Sequence, residues 1–372
     1  MADVMTAIPP SPFDLDMMRI ALRMAARGLG ATAPNPAVGA VIADEGTGEI
    51  VARGWTQPGG RPHAETEAIR RAGDRARGRT LYVTLEPCAH FGKTPPCADA
   101  IAAAGIARVV IGVGDPDPRT AGEGIAKLRA AGIAVTEHVC EDEARWITLG
   151  HILRITRNRP FVTLKLATDA EGGIAPGDGT APRWVTGPEA RAAGHGLRAR
   201  ADAILIGAGT LRADDPALTC RLPGLADRSP TRIVLAGRKP LDPNAKLFAT
   251  AARFPVLVIR EGAALPQDRD LAAAGAEVIE CPGHGIAPVL ERLAARGITR
   301  LLVEGGPAVW KTFAQAGLID EVALFVAGQP SQKQVAATLQ RHLGPLALQP
   351  SDRRPAGSDT MLLLRRTAAS AT

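Results

Sequence analysis

Two α/β domains joined end to end are the fold class this sequence predicts. At 372 residues the chain is long for one hydrophobic core. Strand-type and helix-type apolar patterns alternate along it, which implies layered sheets with parallel pairs. The alternation stops once, near the middle, and then begins again.

Residues 14–29 carry the apolar spacing of an amphipathic helix ended by Gly30. Residues 37–43 and 50–55 read as two strands joined by a Gly-containing turn. Residues 64–76 read as a helix and 80–85 as a β-rich central strand. A helix over 97–104, a strand over 108–113, a helix over 124–131 and a strand over 134–139 follow. The stretch 151–159 (HILRITRNR) is basic, lacks a strand pattern and ends at Pro160. The expected domains are therefore 1–157 and 158–372. In the second half, strands are expected at 161–167, 203–206, 232–235, 255–259, 276–280, 300–303 and 322–326, with a last one at 361–365. Helices are expected at 189–201, 287–295 and 308–316.

Composition narrows the function classes. Apolar residues are 46 % of the chain, enough for sizeable cores. Glycine (40) and proline (30) are plentiful but form no low-complexity tract, so broad disorder is not expected. The net charge of +6 is too small and too spread to mark a nucleic-acid footprint, and it suits phosphorylated small molecules equally well. No apolar run approaches the ~20 residues that span a bilayer. Residues 1–12 show no signal-peptide pattern. Five cysteines, an odd number, point to reduced thiols and a cytoplasmic location.

The informative words are His63-Ala64-Glu65 and Pro87-Cys88, with Cys97 following after eight intervening residues. Imidazole and thiolate suit Zn²⁺ in a tetrahedral site. Three protein ligands would leave a fourth corner open, the mark of a catalytic site. Zinc lowers the pKa of a water in that corner to about 7. His63 and Cys97 lie where helices begin, and helix N-termini favour thiolate. Each residue has an ordinary alternative: a buried Cys is usually a small hydrophobe, and a first-turn Glu usually complements the helix dipole. Together, H-x-E followed by P-C and a second Cys is the zinc deaminase pattern, though the cysteines are spaced more widely than its usual two residues. His90 is a rival ligand close to Cys88.

These residues resemble a known family, the bifunctional deaminase-reductase of riboflavin biosynthesis. Its long word is similar to PCAHFGKTPPC at 87–97, expanded spacing included. Pro34-Asn35-Pro36-Ala37-Val38-Gly39 and Asp115-Pro116-Asp117-Pro118 resemble further words of the same family. In the second half, the words at 210–219 (TLRADDPALT) and 304–307 (EGGP) resemble its reductase domain, with Lys165, Trp184 and Arg198 in matching places. The resemblance implies a cytidine-deaminase-like three-layer domain followed by a dihydrofolate-reductase-like α/β domain. It implies His63, Cys88 and Cys97 as ligands to one Zn²⁺ per chain, with Glu65 catalytic. Asn35, Arg198, Leu218, Arg221 and Glu304 are implied to meet substrate. Ala167, Trp184, Thr210, Asp214, Gly237, Gly306 and Pro307 are implied to meet NADPH. The expected partner is a phosphorylated pyrimidine, with no nucleic acid and no membrane, and a homo-oligomer would form through the reductase-like domain.

Departures fall in the second half. Asp169-Ala170-Glu171-Gly172 replaces the family's SLDG, Pro182 a serine, and Ala236 an aspartate, while 326–334 lacks an APxLLG pattern. One rival reading is a deaminase with a degenerate reductase domain. A second is an RNA-base deaminase, which the 3 % aromatic content disfavours for lack of stacking platforms. A third is a structural or regulatory zinc protein, with His90 closing the coordination shell.

Overall fold

A computed structural model describes residues 10–174 and 184–366. The chain divides into two compact units, Met1–Asn158 and Arg159–Thr372.

The first unit begins with α1 (Pro12–Ala26). The Ser11 hydroxyl accepts the Asp14 N–H at 3.1 Å, and the Asp14 carboxylate accepts the Ser11 N–H at 2.9 Å. That reciprocal cap, with Pro12 at the first turn, starts the helix two residues before the expected 14. Then follow β1 (Gly39–Ala43), β2 (Ile50–Trp55), α2 (Ala64–Ala72), β3 (Thr80–Leu85), α3 (Cys97–Ala103), β4 (Arg108–Val113), α4 (Glu123–Ala130), β5 (Ala134–Thr136) and α5 (Glu141–Arg157). The sheet order is β2-β1-β3-β4-β5, antiparallel at β2-β1-β3 and parallel from β3 onward. β3 is buried throughout, as a central strand of six residues between helices must be. Gly54 lets α2 lie against β2, since a Cβ there would sit 2.2 Å from the Ala64 carbonyl oxygen.

The basic stretch at the expected domain boundary is helical as far as Arg157. Ala144, Thr148, His151 and Ile152 form a buried stripe at helical spacing, and the charges of Arg154 and Arg157 lie in the last turn of α5. Asn158, at φ 50°, ends the helix in the left-handed region.

The second unit carries β6 (Phe161–Thr168), α6 (Pro188–Arg198), β7 (Ala203–Gly207), α7 (Ala208–Asp214), β8 (Thr231–Gly237), β9 (Val256–Glu261), α8 (Asp268–Ala273) and β10 (Ala276–Cys281). It continues with α9 (Ala287–Ala295), β11 (Arg300–Val303), α10 (Pro307–Gln315), β12 (Glu321–Val326), α11 (Gln332–Leu343), β13 (Leu348–Ala356) and β14 (Asp359–Arg366). The strand order is β10-β9-β8-β7-β11-β6-β12-β14-β13, parallel as far as β12 and antiparallel beyond. α7, α8, α11 and β13 were not expected. α7 and α8 are seven and six residues long, too short for apolar periodicity to register. α11 starts on a Ser331–Gln334 capping box inside the segment that departs from the family pattern.

Candidate active sites

In the first unit, three chain segments meet. His63 is the N-cap residue of α2, Cys97 opens α3, and Cys88 follows β3. The ligand atoms of His63, Cys88 and Cys97 lie within 4.8 Å of one another, and no other such group of three occurs among the described residues. His63 Nδ1 is 3.2 Å from Cys97 Sγ and 3.8 Å from Cys88 Sγ. The Cys97 N–H, at a helix start, donates to Cys88 Sγ at 3.3 Å. Hydrogen bonding from Cys97 first, then from His63, holds the Cys88 thiol down at about 4. One nitrogen and two sulfurs, one of them a ready thiolate, form a donor set that fits zinc.

Glu65 is 4 % exposed. Burial pushes its carboxyl above the usual range, against the pull of His63. An acid raised this way is suited to carry a proton near neutral pH. Asn35 Nδ2 donates to the Gly60 carbonyl at 2.8 Å and lies 3.4 Å from His63 Nε2. His90, the rival ligand, is outside the cluster; its Nδ1 is 3.3 Å from the Thr120 hydroxyl. Sequence reasoning missed Glu86, which is 4 % exposed. Its carboxylate accepts N–H groups from Asp115, Gly122, Gly124 and Ile125 at 3.0–3.3 Å. It ties the 114–125 segment to the strand end that leads into Cys88. Gly124 is needed there, because a Cβ would lie 2.0 Å from the Pro87 carbonyl oxygen. The only sequence signal was an acidic residue directly before the Pro-Cys word.

In the second unit, a cleft of about 1300 Å³ gathers the remaining expected residues. β6 alternates, burying Leu164 and Leu166 on one face and turning Lys165 and Ala167 to the cleft. α6 contributes Arg198, and the loop after α7 contributes Leu218 and Arg221. Thr210 and Asp214 come from α7, Gly237 from the end of β8. Glu304, Gly306 and Pro307 lie between β11 and α10, and Trp184 flanks the cleft with Arg191 5.0 Å above its ring. Arg198 grips Glu304 in a fork, Nε to Oε1 at 2.7 Å and Nη2 to Oε2 at 2.9 Å. Burial alone would raise the Glu304 carboxyl, but Arg198, helped by Lys165, holds it at about 2.

The departures find physical places. Ala236 lies within β8 rather than after it, at 3 % exposure against an apolar cluster. It also lines the cleft, between Leu235 and Gly237. Asp169 closes its own turn, accepting N–H groups from Glu171 at 3.0 Å and Gly173 at 2.6 Å. α11 fastens that turn from outside: Gln334, Arg341 and His342 contact the carbonyls of Ala170, Glu171 and Gly172 at 3.2, 2.9 and 2.8 Å. His342 also packs edge-on against Trp310, which lines the cleft. Pro182 lies outside the described residues.

Comparison with known proteins defines the class. Residues 12–113 match the cytidine and deoxycytidylate deaminase zinc-binding region, and 160–329 match the RibD C-terminal domain. The molecule is a deaminase domain followed by a reductase domain, an enzyme with two activities. The Aquifex aeolicus riboflavin biosynthesis protein RibD is 41 % identical over 314 residues, covering 84 % of this chain and 86 % of that protein. The Escherichia coli RibD is 37 % identical over 83 % of this chain and 86 % of its own length. The chain belongs to the RibD family of riboflavin biosynthesis enzymes. Among solved structures, Acinetobacter baumannii RibD superposes with a TM-score of 0.82 at 33 % identity, covering 95 % of this chain and 99 % of that one. A Thermotoga maritima diaminohydroxyphosphoribosylaminopyrimidine deaminase/5-amino-6-(5-phosphoribosylamino)uracil reductase superposes with a TM-score of 0.79 at 33 % identity, with the same coverage. These matches support zinc in the first domain and a nicotinamide cofactor in the second. Among the described residues, no helix is long and apolar enough to cross a membrane.

Proposed function

We propose that this chain deaminates diaminohydroxyphosphoribosylaminopyrimidine in its first domain, 1–157, and reduces the ribosyl group to ribityl in its second, 158–372. The substrate named for the Thermotoga maritima relative supports this reading. The observation that carries it is the buried Glu65 two residues from His63, beside a three-ligand cluster. His63, Cys88 and Cys97 would hold one Zn²⁺ per chain. Bound zinc supplies a Lewis acid that makes a water nucleophilic at neutral pH. Glu65 takes the proton of the attacking water and delivers protons to the ring nitrogen and the leaving ammonia. Asn35, near the back of His63, orients the pyrimidine.

In the second domain, NADPH supplies a hydride for the sugar C1′. Ala167, Trp184, Thr210, Asp214, Gly237, Gly306 and Pro307 line its site. Gly306 caps the N-terminus of α10, where backbone N–H groups suit a cofactor phosphate. Arg198, Leu218, Arg221 and Glu304 hold the ribotide, with Arg221 taking the substrate phosphate in fork geometry. Five cysteines, an odd number and all free, support a reducing, cytoplasmic setting, and the second domain is the proposed seat of a homo-oligomer.

The test supplies purified chain with the pyrimidine ribotide, with and without NADPH. Ammonia release should proceed without NADPH, and NADPH oxidation should follow only after deamination. NADPH oxidation without prior ammonia release would sink the ordered scheme. No ammonia release from zinc-loaded protein would sink the deaminase assignment.

A further inference from the structure

The rim of the first site carries a cation that the reading above leaves unused. Arg61 stands two residues before His63, and its guanidinium reaches across to the segment between the two cysteines. Nη1 donates to the Thr94 hydroxyl at 2.5 Å and lies 3.4 Å from His63 Nε2. Nη2 lies close to Gly92, where a Cβ would come within 3.2 Å of it. Asn35 Nδ2 approaches the same His63 nitrogen at 3.4 Å, its amide turned by the bond to the Gly60 carbonyl. The guanidinium therefore sits beside a residue already assigned to the substrate. On its other side is the exposed stretch 91–95, which includes Phe91 at 76 % exposure.

The charge at this position is unmatched. Among the described residues, no carboxylate comes within ion-pair reach of Arg61, whose polar contacts are one hydroxyl and one imidazole. Arg70 and Arg71, on the helix that follows, differ in that both pair with Glu67. Thr94 is also only half used. A guanidinium cannot accept a hydrogen bond, so the Thr94 oxygen accepts and its own O–H remains to donate. Among the described residues that O–H meets no acceptor. The corner thus offers a full positive charge, the Nε–H and Nη2 donors and a hydroxyl donor, with no anion of its own. Such a set suits a phosphate, which accepts at several oxygens and carries the opposite charge.

We propose that Arg61 and Thr94 clasp the phosphate of the ribotide at the rim of the deaminase site and so make the first domain selective for the phosphorylated pyrimidine. This rests on the deaminase reading above. Arg61 supplies the charge and a forked pair of donors. Its Nη1 bond keeps the Thr94 hydroxyl beside the guanidinium, so one anion can meet both. A riboside without the phosphate has nothing to offer this corner and gains nothing from it.

Three variants separate phosphate binding from support of the metal site. Arg61→Met keeps an unbranched stem but removes charge and donors. Arg61→Lys keeps the charge without the fork, and Thr94→Val removes only the hydroxyl. Ammonia release is followed with the ribotide and, in parallel, with its dephosphorylated riboside, and zinc content is measured on each protein. Expected for Arg61→Met is a KM for the ribotide raised about 10- to 100-fold, the loss of charged hydrogen bonds. Arg61→Lys should fall between it and wild type, and Thr94→Val should raise the KM by about three- to ten-fold. kcat should change by less than about two-fold, zinc content should stay the same, and kcat/KM on the riboside should be equal in all four proteins. A wild-type KM in Arg61→Met, or an equal loss on the riboside, overturns the proposal. Should Arg61→Met lose zinc or fail to fold, Thr94→Val decides: a rise in KM confined to the ribotide supports the clasp, and no rise overturns it. No ammonia release from the zinc-loaded wild-type chain would instead refute the deaminase reading on which the clasp stands.

Discussion

The metal-capable cluster and the reductase cleft are assembled over different chain distances. His63 and Cys97, in contact through Nδ1 and Sγ, are 34 residues apart. Arg198 and Glu304, in contact through a two-toothed ion pair, are 106 apart. The first site hangs on two helix starts and one strand end in a five-stranded sheet. The second needs β6, β7, β8 and β11 in register before its walls face one another. A local site of this kind tolerates departures elsewhere. The distributed one absorbs them through added contacts, as α11 does by gripping three consecutive carbonyls of the turn after β6.

Four expected outcomes can break or sharpen that contrast. The largest is metal removal. Chelation, or Cys97→Ser, should abolish ammonia release and lower zinc from about one per chain, while reduction of pre-deaminated substrate continues. Joint loss of both activities would show that the two sites are not separable. Next is Glu65→Gln, expected to cut deamination about 10²–10⁴-fold at unchanged zinc content, read by ammonia release and metal analysis. Retained deamination would remove Glu65 from proton transfer.

Third is Glu304→Ala, which strands the buried Arg198 guanidinium. The expected cost is about 3–5 kcal/mol in the second unit, read by thermal unfolding, with ammonia release spared. Its pH sign follows from the carboxyl held at about 2 in the folded chain against its usual 4.5. The stabilisation is complete above about 4.5 and is lost as pH falls toward 2. The wild-type melting temperature should therefore drop more steeply than that of Glu304→Ala across that window. The smallest is His342→Ala, which releases one carbonyl of the turn. A two- to three-fold rise in the KM for NADPH and a loss of about 1 kcal/mol are expected. An unchanged KM would make α11 a support for stability alone.

Legibility differed between the two sites for the same reason. His63, Glu65, Cys88 and Cys97 could be read directly, because their residue types are rare in combination, and all but Cys88 sit at helix starts marked by Pro and acidic residues. Glu86 could not be read, since four backbone N–H donors from a segment about 30–40 residues away reveal its role only once folded. The cleft residues were legible only through family words. Nothing in local pattern pairs Arg198 with Glu304. α5 was hidden because its buried stripe is short in large apolar residues, with Ala144, Thr148 and His151 in place of leucines.

By itself the sequence determined the two-domain α/β class and the members of the metal-capable cluster, His63, Cys88 and Cys97, with Glu65 beside it. Those depend on residue chemistry and short-range periodicity, which are written locally. Tertiary structure alone decided that His90 stays outside the cluster, that Ala236 belongs to an apolar strand end and that α11 braces the turn after β6. Each depends on which distant backbone groups come within hydrogen-bond reach or burial, and chain separation carries no record of that.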